Sequence, residues 1–231
     1  MSKIIVALDG MDTEDALVLA KNLEGTGVIL KANDLLDGGL GVTILEVLSR
    51  HAEVMDDAKF HDIPNTVKNR VKKHIFYKPS LITVHASGGV AMMRAAVEAA
   101  GDSKILAVTV LTSLNEEECN INYGMPVKAK VLQFARNAVL AGVYGIVCSP
   151  MELKFLSQFP ELNKLKKVTP GIRPKWHLDP NDDQSRITTP YDAVKMGADY
   201  LVIGRPITMA TNPVEAVLET QKEINLAIVE K

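Results

Sequence analysis

Eight short runs rich in aliphatic and β-branched residues recur along the chain, each followed by a longer segment of helical character. The runs are Lys3–Leu8, Val28–Leu30, Glu53–Met55 and onward, Leu81–Val84, Ile105–Leu111, Gly145–Cys148, Lys167–Thr169 and Tyr200–Ile203. The amphipathic segments between and after them are Thr13–Leu23, Gly41–Ser49, Thr66–Phe76, Ala91–Ala100, Pro126–Ala141, Met151–Gln158, Pro190–Met196 and Pro213–Lys231. Strand–helix alternation demands parallel strands joined by helical crossovers. The near-continuous apolar character of the strands suits a sheet covered on its outer face. Eight such units point to a closed (β/α)8 TIM barrel, with an open doubly wound sheet as the alternative. A length of 231 residues fits one barrel, so a single catalytic domain over 1–231 is expected. Two stretches, 114–125 and 171–189, look irregular, and a loop as long as the second is usually functional or disordered.

The formal net charge is -2, which gives no electrostatic footprint for nucleic acid or for an anionic membrane. An anionic small ligand must then be held by a few placed cations. The two cysteines, Cys119 and Cys148, form neither a CxxC pair nor a disulfide framework, and a reducing compartment is expected. The apolar part of MSKIIVALDG is too short for a signal peptide, and no run of about 18 apolar residues occurs. A cytoplasmic protein with no membrane partner is expected.

Barrels place their chemistry at the C-terminal ends of their strands. Those ends carry Asp9, Lys31, Asp57 with Lys59, His85, Thr112, Ser149, Pro170-Gly171-Ile172-Arg173 and Gly204-Arg205. The strongest local signal is DAKFHDIPNT at 57–66. In an extended segment residues two apart share a face, so Asp57 and Lys59 are expected to enter the barrel mouth together, where Lys31 can join them. Buried charges are costly unless paired, and a preset array of them suits electrostatic catalysis. A solvated ion pair on a loop is the competing reading. After the last two strands, Gly171, Gly204 and Arg205 suit a phosphate site built from backbone N–H groups and a guanidinium fork. Alternatively, Arg205 pairs locally. Plainer roles fall to His85 as a hydrogen-bonded core residue, Cys148 as inert packing and Trp176 as cover for the rim. Lys68, Arg70, Lys72 and Lys73 read as a solvated helix face, and Glu116–Glu118 as the start of a short helix.

With these residues in place, the chain resembles the orotidine 5'-monophosphate decarboxylase family, and the match runs from VALD at 6–9 to GRPIT at 204–208. DAKFHDIPNT carries the family's DxKxxD pattern. TVHASGG at 83–89, AVTVLTS at 107–113, VCSP at 147–150, VTPGIRP at 168–174 and DDQSR at 182–186 are similar to its bacterial branch. The resemblance implies conversion of orotidine 5'-monophosphate to uridine 5'-monophosphate and CO2, the last step of de novo UMP biosynthesis, with no cofactor and no metal. It implies that Lys59 donates the proton and that Asp57 lies beside the substrate carboxylate. Lys31, Asp57, Lys59 and Asp62 would form a charge network in a homodimer, with Asp62 and Thr66 reaching across the interface. Asp9 and Lys31 would hold the ribose and Thr112 the pyrimidine. Arg173, Gln184, Gly204 and Arg205 would hold the phosphate under the 171–189 loop. Two places depart from the family pattern. Ala32-Asn33 and DLLDGG follow Lys31 where Val-Gly is usual, and Asp56 stands where an apolar residue is usual. As a neighbour of Asp57 along a strand, Asp56 is expected to face away from the site. Two rival readings are a magnesium-dependent sister enzyme, whose acidic residue would occupy position 31, and a nucleotide-binding barrel without activity.

Overall fold

The computed structural model describes residues 3–177 and 188–230. Eight parallel strands close into a barrel in sequence order, and the last pairs with the first. They are β1 (Lys3–Ala7), β2 (Ile29–Ala32), β3 (Glu53–Phe60), β4 (Leu81–His85), β5 (Lys104–Val108), β6 (Gly145–Val147), β7 (Lys166–Thr169) and β8 (Tyr200–Ile203). The surrounding helices are α1 (Thr13–Asn22), α2 (Ile44–Ser49), α3 (Pro64–His74), α4 (Gly89–Ala99), α5 (Glu116–Tyr123), α6 (Val127–Ala141), α7 (Pro150–Leu156), α8 (Pro190–Lys195), the single turn α9 (Arg205–Thr208) and α10 (Pro213–Val229). The expected (β/α)8 architecture is therefore present. Among the described residues, no helix is long and apolar enough to cross a membrane.

The strands look uniformly apolar because both of their faces are buried, yet the two faces serve different layers. Ile5, Ala7, Ile29, Met55, Leu81, Leu106, Val168 and Val202 fill the barrel interior. Their neighbours Ile4, Val6, Leu30, Val54, Ile82, Ile105 and Leu201 face outwards into the helical shell. The inner residues pack the lower barrel and leave its C-terminal mouth to polar groups.

Local chemistry sets the helix starts. Asp12 caps α1 by accepting from the Asp15 amide at 2.8 Å. Ser149 and Glu152 form a reciprocal capping box at α7. Pro64 begins α3 two residues before the expected Thr66, since the first helical position needs no N–H. The acidic run 116–118 does open a short helix, α5, capped by Asn115. That helix takes up most of the stretch read as irregular at 114–125.

Three strand boundaries differ from the sequence expectation. β2 runs Ile29–Ala32 rather than Val28–Leu30, so Lys31 lies inside the sheet and not beyond it. β5 ends at Val108 rather than Leu111: Thr109 still donates to the Val147 carbonyl at 3.1 Å, and the chain then turns away. β3 continues to Phe60, which places Asp57 and Lys59 within a strand.

β6 and β7 meet at a close approach. A Cβ on Gly145 would lie 2.5 Å from the Lys166 carbonyl oxygen and 3.1 Å from Leu106 Cδ2. Backbone on one side and packed core on the other leave no room to yield. Gly145→Ala is expected to cost about 1–3 kcal/mol through overpacking, lowering Tm by roughly 2–12 °C. A thermal melt at the wild-type Tm would contradict this packing.

Candidate active site

Three strands deliver a row of alternating charges to the barrel mouth, and a fourth adds a hydroxyl. Lys31 on β2 donates from Nζ to Asp9 Oδ1 at 2.6 Å and Oδ2 at 2.8 Å, just past the end of β1. The same ammonium donates to Asp57 Oδ2 on β3 at 2.9 Å. Lys59 Nζ donates to the same Asp57 oxygen at 2.8 Å. On β4, the Thr83 hydroxyl donates to Asp57 Oδ1 at 2.9 Å. Side-chain exposure grades along the row: 50% at Asp9, 6% at Lys31, 7% at Asp57 and 31% at Lys59. The central pair is dry, and the flanking groups reach towards ligand or solvent.

Burial opposes charge on Lys31, but Asp57 and Asp9 outweigh it and hold the lysine above its ordinary pKa. Burial likewise opposes the Asp57 carboxylate, and Lys31 with Lys59 outweigh it and hold that carboxyl below its usual range. Both groups are therefore ionised at neutral pH. Lys59 makes one side-chain hydrogen bond among the described residues, to Asp57, so its other protons can serve a ligand.

The backbone here is not a plain strand. β3 pairs with β4 at Asp56↔Ile82 and next at Phe60↔Val84, with a register shift between. Lys59 sits at φ 47°, in the left-handed region that few non-glycine residues occupy. Asp57 and Lys59 do meet, as expected from their spacing, but through this bulge and not through simple alternation.

A cavity of about 210 Å³ opens above the row. Asp9, Lys31, Asp57, Lys59 and Thr112 supply its polar wall, and Met55, Val108, Val147, Cys148 and Val202 are among its apolar lining. Placing the charge row against apolar surface raises the electrostatic effect of each group. Cys148 is a wall residue whose thiol is pushed well up by burial, in keeping with its reading as inert packing.

Other expected site residues lie apart from this cavity. Asp62 is exposed, and its Oδ1 accepts from the Ile63 amide at 2.7 Å; it does not join the charge row within this chain. Thr66 is half-buried in the first turn of α3. Gly171 has φ 75°, and Arg173 is buried with Nη1 donating to the Ile172 carbonyl at 3.2 Å. Arg173 N donates to Thr188 O at 2.9 Å, and Thr188 N donates to Gly171 O at 3.1 Å. Gly204 precedes α9, and Arg205 is exposed at the first residue of that turn. Gln184, with the DDQSR motif, lies outside the described residues.

Asp56 faces away from the cavity, as expected, and is fully buried with Oδ2 2.7 Å from His74 Nδ1. Arg70 is exposed, as the solvated-face reading expects, and its guanidinium also lies 4.5 Å above the buried Phe60 ring. His85 is half-buried near the His61 ring; burial, then His61 and Lys59, lower its pKa. Trp176 is partly exposed, with its edge against His177. Sequence reasoning missed Thr83 and Asn33. The signal for Thr83 was a lone hydroxyl in the otherwise apolar run LITV. Asn33 donates from Nδ2 to the Asp57 carbonyl at 2.7 Å, a contact that only the β2–β3 geometry reveals.

The chain is similar throughout its length to proteins of known type. Residues 2–220 match the model of the orotidine 5'-phosphate decarboxylase / HUMPS family. An orotidine 5'-phosphate decarboxylase from Syntrophomonas wolfei is 41% identical over 96% of this chain and 97% of its own length. One from Gloeothece citriformis is 42% identical over 93% of this chain and 94% of its own. Among solved structures, the orotidine 5'-phosphate decarboxylase of Lactobacillus acidophilus superposes with a TM-score of 0.81 at 33% identity, covering 97% of this chain and all of that one (100%). With the barrel, the charge row and full-length similarity agreeing, the chain belongs to the orotidine 5'-phosphate decarboxylase / HUMPS family.

Proposed function

We propose that this chain decarboxylates orotidine 5'-monophosphate to uridine 5'-monophosphate and CO2, the last step of de novo UMP biosynthesis, with no metal or organic cofactor. The observation that carries the reading is the row Asp9–Lys31–Asp57–Lys59, in which a buried carboxylate is held between two ammonium groups beside an apolar-walled cavity. Losing CO2 leaves an electron pair on the pyrimidine carbon. The Lys59 ammonium meets that charge as it develops and gives the carbon its proton. The lysine leaves the step as a neutral amine and regains a proton from water. Asp57 lies against the substrate carboxylate and disfavours it in the ground state.

The remaining roles follow from position along the barrel mouth. Asp9 and Lys31 hold the ribose hydroxyls, and Thr112 contacts the pyrimidine. Arg173, Gln184, Gly204 and Arg205 hold the phosphate, so that binding energy far from the reacting carbon is expressed at the chemical step. The working unit is a homodimer in which Asp62 and Thr66 complete the neighbouring subunit's site. Residues 1–231 act as one catalytic barrel in the cytoplasm, with neither nucleic acid nor membrane as partner. The magnesium-dependent sister reading is disfavoured by Lys31, whose ammonium occupies the space between the Asp9 and Asp57 carboxylates that a divalent cation would need.

Lys59→Ala is expected to abolish turnover while the protein still binds uridine 5'-monophosphate; near-normal turnover would remove Lys59 as proton donor. Arg205→Ala removes a charged hydrogen bond of roughly 1.5–3 kcal/mol, which lowers kcat/KM about 10- to 150-fold. An unchanged kcat/KM would remove Arg205 from the phosphate site.

A further inference from the structure

Asp57, Ala58 and Lys59 stand opposite a single residue of β4. The β3–β4 pairing runs Asp56↔Ile82 and resumes at Phe60↔Val84, so three residues of β3 face Thr83 alone. On the other side, the β2–β3 pairing ends at Ala32↔Asp56. β2 then leaves the sheet at Asn33 (φ -120°, ψ -86°) and enters the turn Asp34–Asp37. The stretch that carries both charged groups therefore lacks ladder pairing to either neighbour. Its backbone is also unfavourable, with Lys59 in the left-handed region.

Side chains take over where the ladder fails. From β2, Asn33 Nδ2 donates to the Asp57 carbonyl at 2.7 Å. From β4, Thr83 Oγ1 accepts from the Lys59 amide at 2.9 Å and donates to Asp57 Oδ1 at 2.9 Å. Thr83 is fully buried, so no water competes for these bonds. The directions are fixed by chemistry. An amide N–H can only donate and a carboxylate can only accept, so the hydroxyl's single proton must go to Asp57. With Oδ1 held by Thr83, Oδ2 is the oxygen that accepts from Lys31 at 2.9 Å and Lys59 at 2.8 Å. One hydroxyl thus sets both the rotation of the carboxylate and the strained backbone from which the Lys59 ammonium projects.

We propose that Thr83, assisted by Asn33, is a positioning residue for the decarboxylation, holding the Asp57–Lys59 bulge in the geometry that presents the ammonium to the reacting carbon. The proposal rests on the reading of Lys59 as proton donor. Neither residue lines the cavity above the charge row. Their loss therefore alters the chemical step and spares ribose and phosphate binding. A displacement near 1 Å at a reacting group costs on the order of 100-fold in rate.

The test compares the wild type with Thr83→Val, Thr83→Ser and Asn33→Ala. Turnover of orotidine 5'-monophosphate is expressed per site that binds uridine 5'-monophosphate by calorimetry, which corrects for any misfolded fraction. Thr83→Val keeps the shape and loses the hydroxyl; its kcat is expected to fall about 100-fold with KM and product affinity little changed. Thr83→Ser restores the hydroxyl and most of the rate. Asn33 is half-buried at the sheet edge, so Asn33→Ala folds even if Thr83→Val does not. Losing its one neutral hydrogen bond lowers kcat roughly 2- to 13-fold. Wild-type kcat per binding site in Thr83→Val overturns the proposal. So does a serine variant no faster than the valine variant, or, where valine fails to fold, an alanine at position 33 with wild-type kcat. If the wild type does not turn over, or Lys59→Ala matches it, the functional reading has failed instead.

Discussion

Asp57 Oδ2 accepts from two ammonium groups at once, at 2.9 Å from Lys31 and 2.8 Å from Lys59. A carboxylate with 7% of its side chain exposed is tolerable only with such partners. Each lysine in turn depends on the carboxylate: Lys31 is equally buried, and Lys59 projects from a backbone that few non-glycine residues adopt. Removing Asp57 would leave two cations side by side. The rest of the mouth is organised around this arrangement. β1 contributes Asp9 to share the Lys31 ammonium, β2 contributes Asn33, and β4 contributes Thr83.

A barrel suits this chemistry because its lower layers are packed solid. Ile5, Ile29, Met55, Leu81, Leu106, Val168 and Val202 fill the interior beneath the charge row, which keeps water from reaching the ion pairs from below. The helical shell anchors β3 from outside through the buried Asp56–His74 contact and the Arg70 guanidinium over Phe60. In the proposed reaction the groups are set before substrate arrives, so little reorganisation accompanies the loss of CO2.

The alternation of apolar runs and amphipathic segments was enough to give the closed barrel, because each unit must bury a strand face under a helix whatever its exact ends. Strand boundaries were less legible. Lys31 read as a residue beyond β2, since a lysine interrupts the apolar run; it lies within the strand because two carboxylates compensate its charge. The meeting of Asp57 and Lys59 was legible from their spacing, but the bulge was not. A register shift depends on what β4 offers opposite, which no local pattern reports. The same holds for Thr83 and Asn33, whose partners lie 24 to 26 positions away in the chain. Asp56 was legible as outward-facing from strand parity alone, whereas its partner His74 was not. Asp62 read as part of the charge network only through family resemblance, and within this chain its carboxylate bonds to the next amide.

The most direct measurement is the ultraviolet absorbance of orotidine 5'-monophosphate incubated with the protein in excess EDTA. If the charge row alone performs the reaction, the substrate band is lost at the same rate with or without chelator, and uridine 5'-monophosphate accumulates. A band that persists in EDTA and is lost only when magnesium is restored would contradict a metal-free site built on Lys31, Asp57 and Lys59. A band that persists under both conditions would contradict the decarboxylase reading itself.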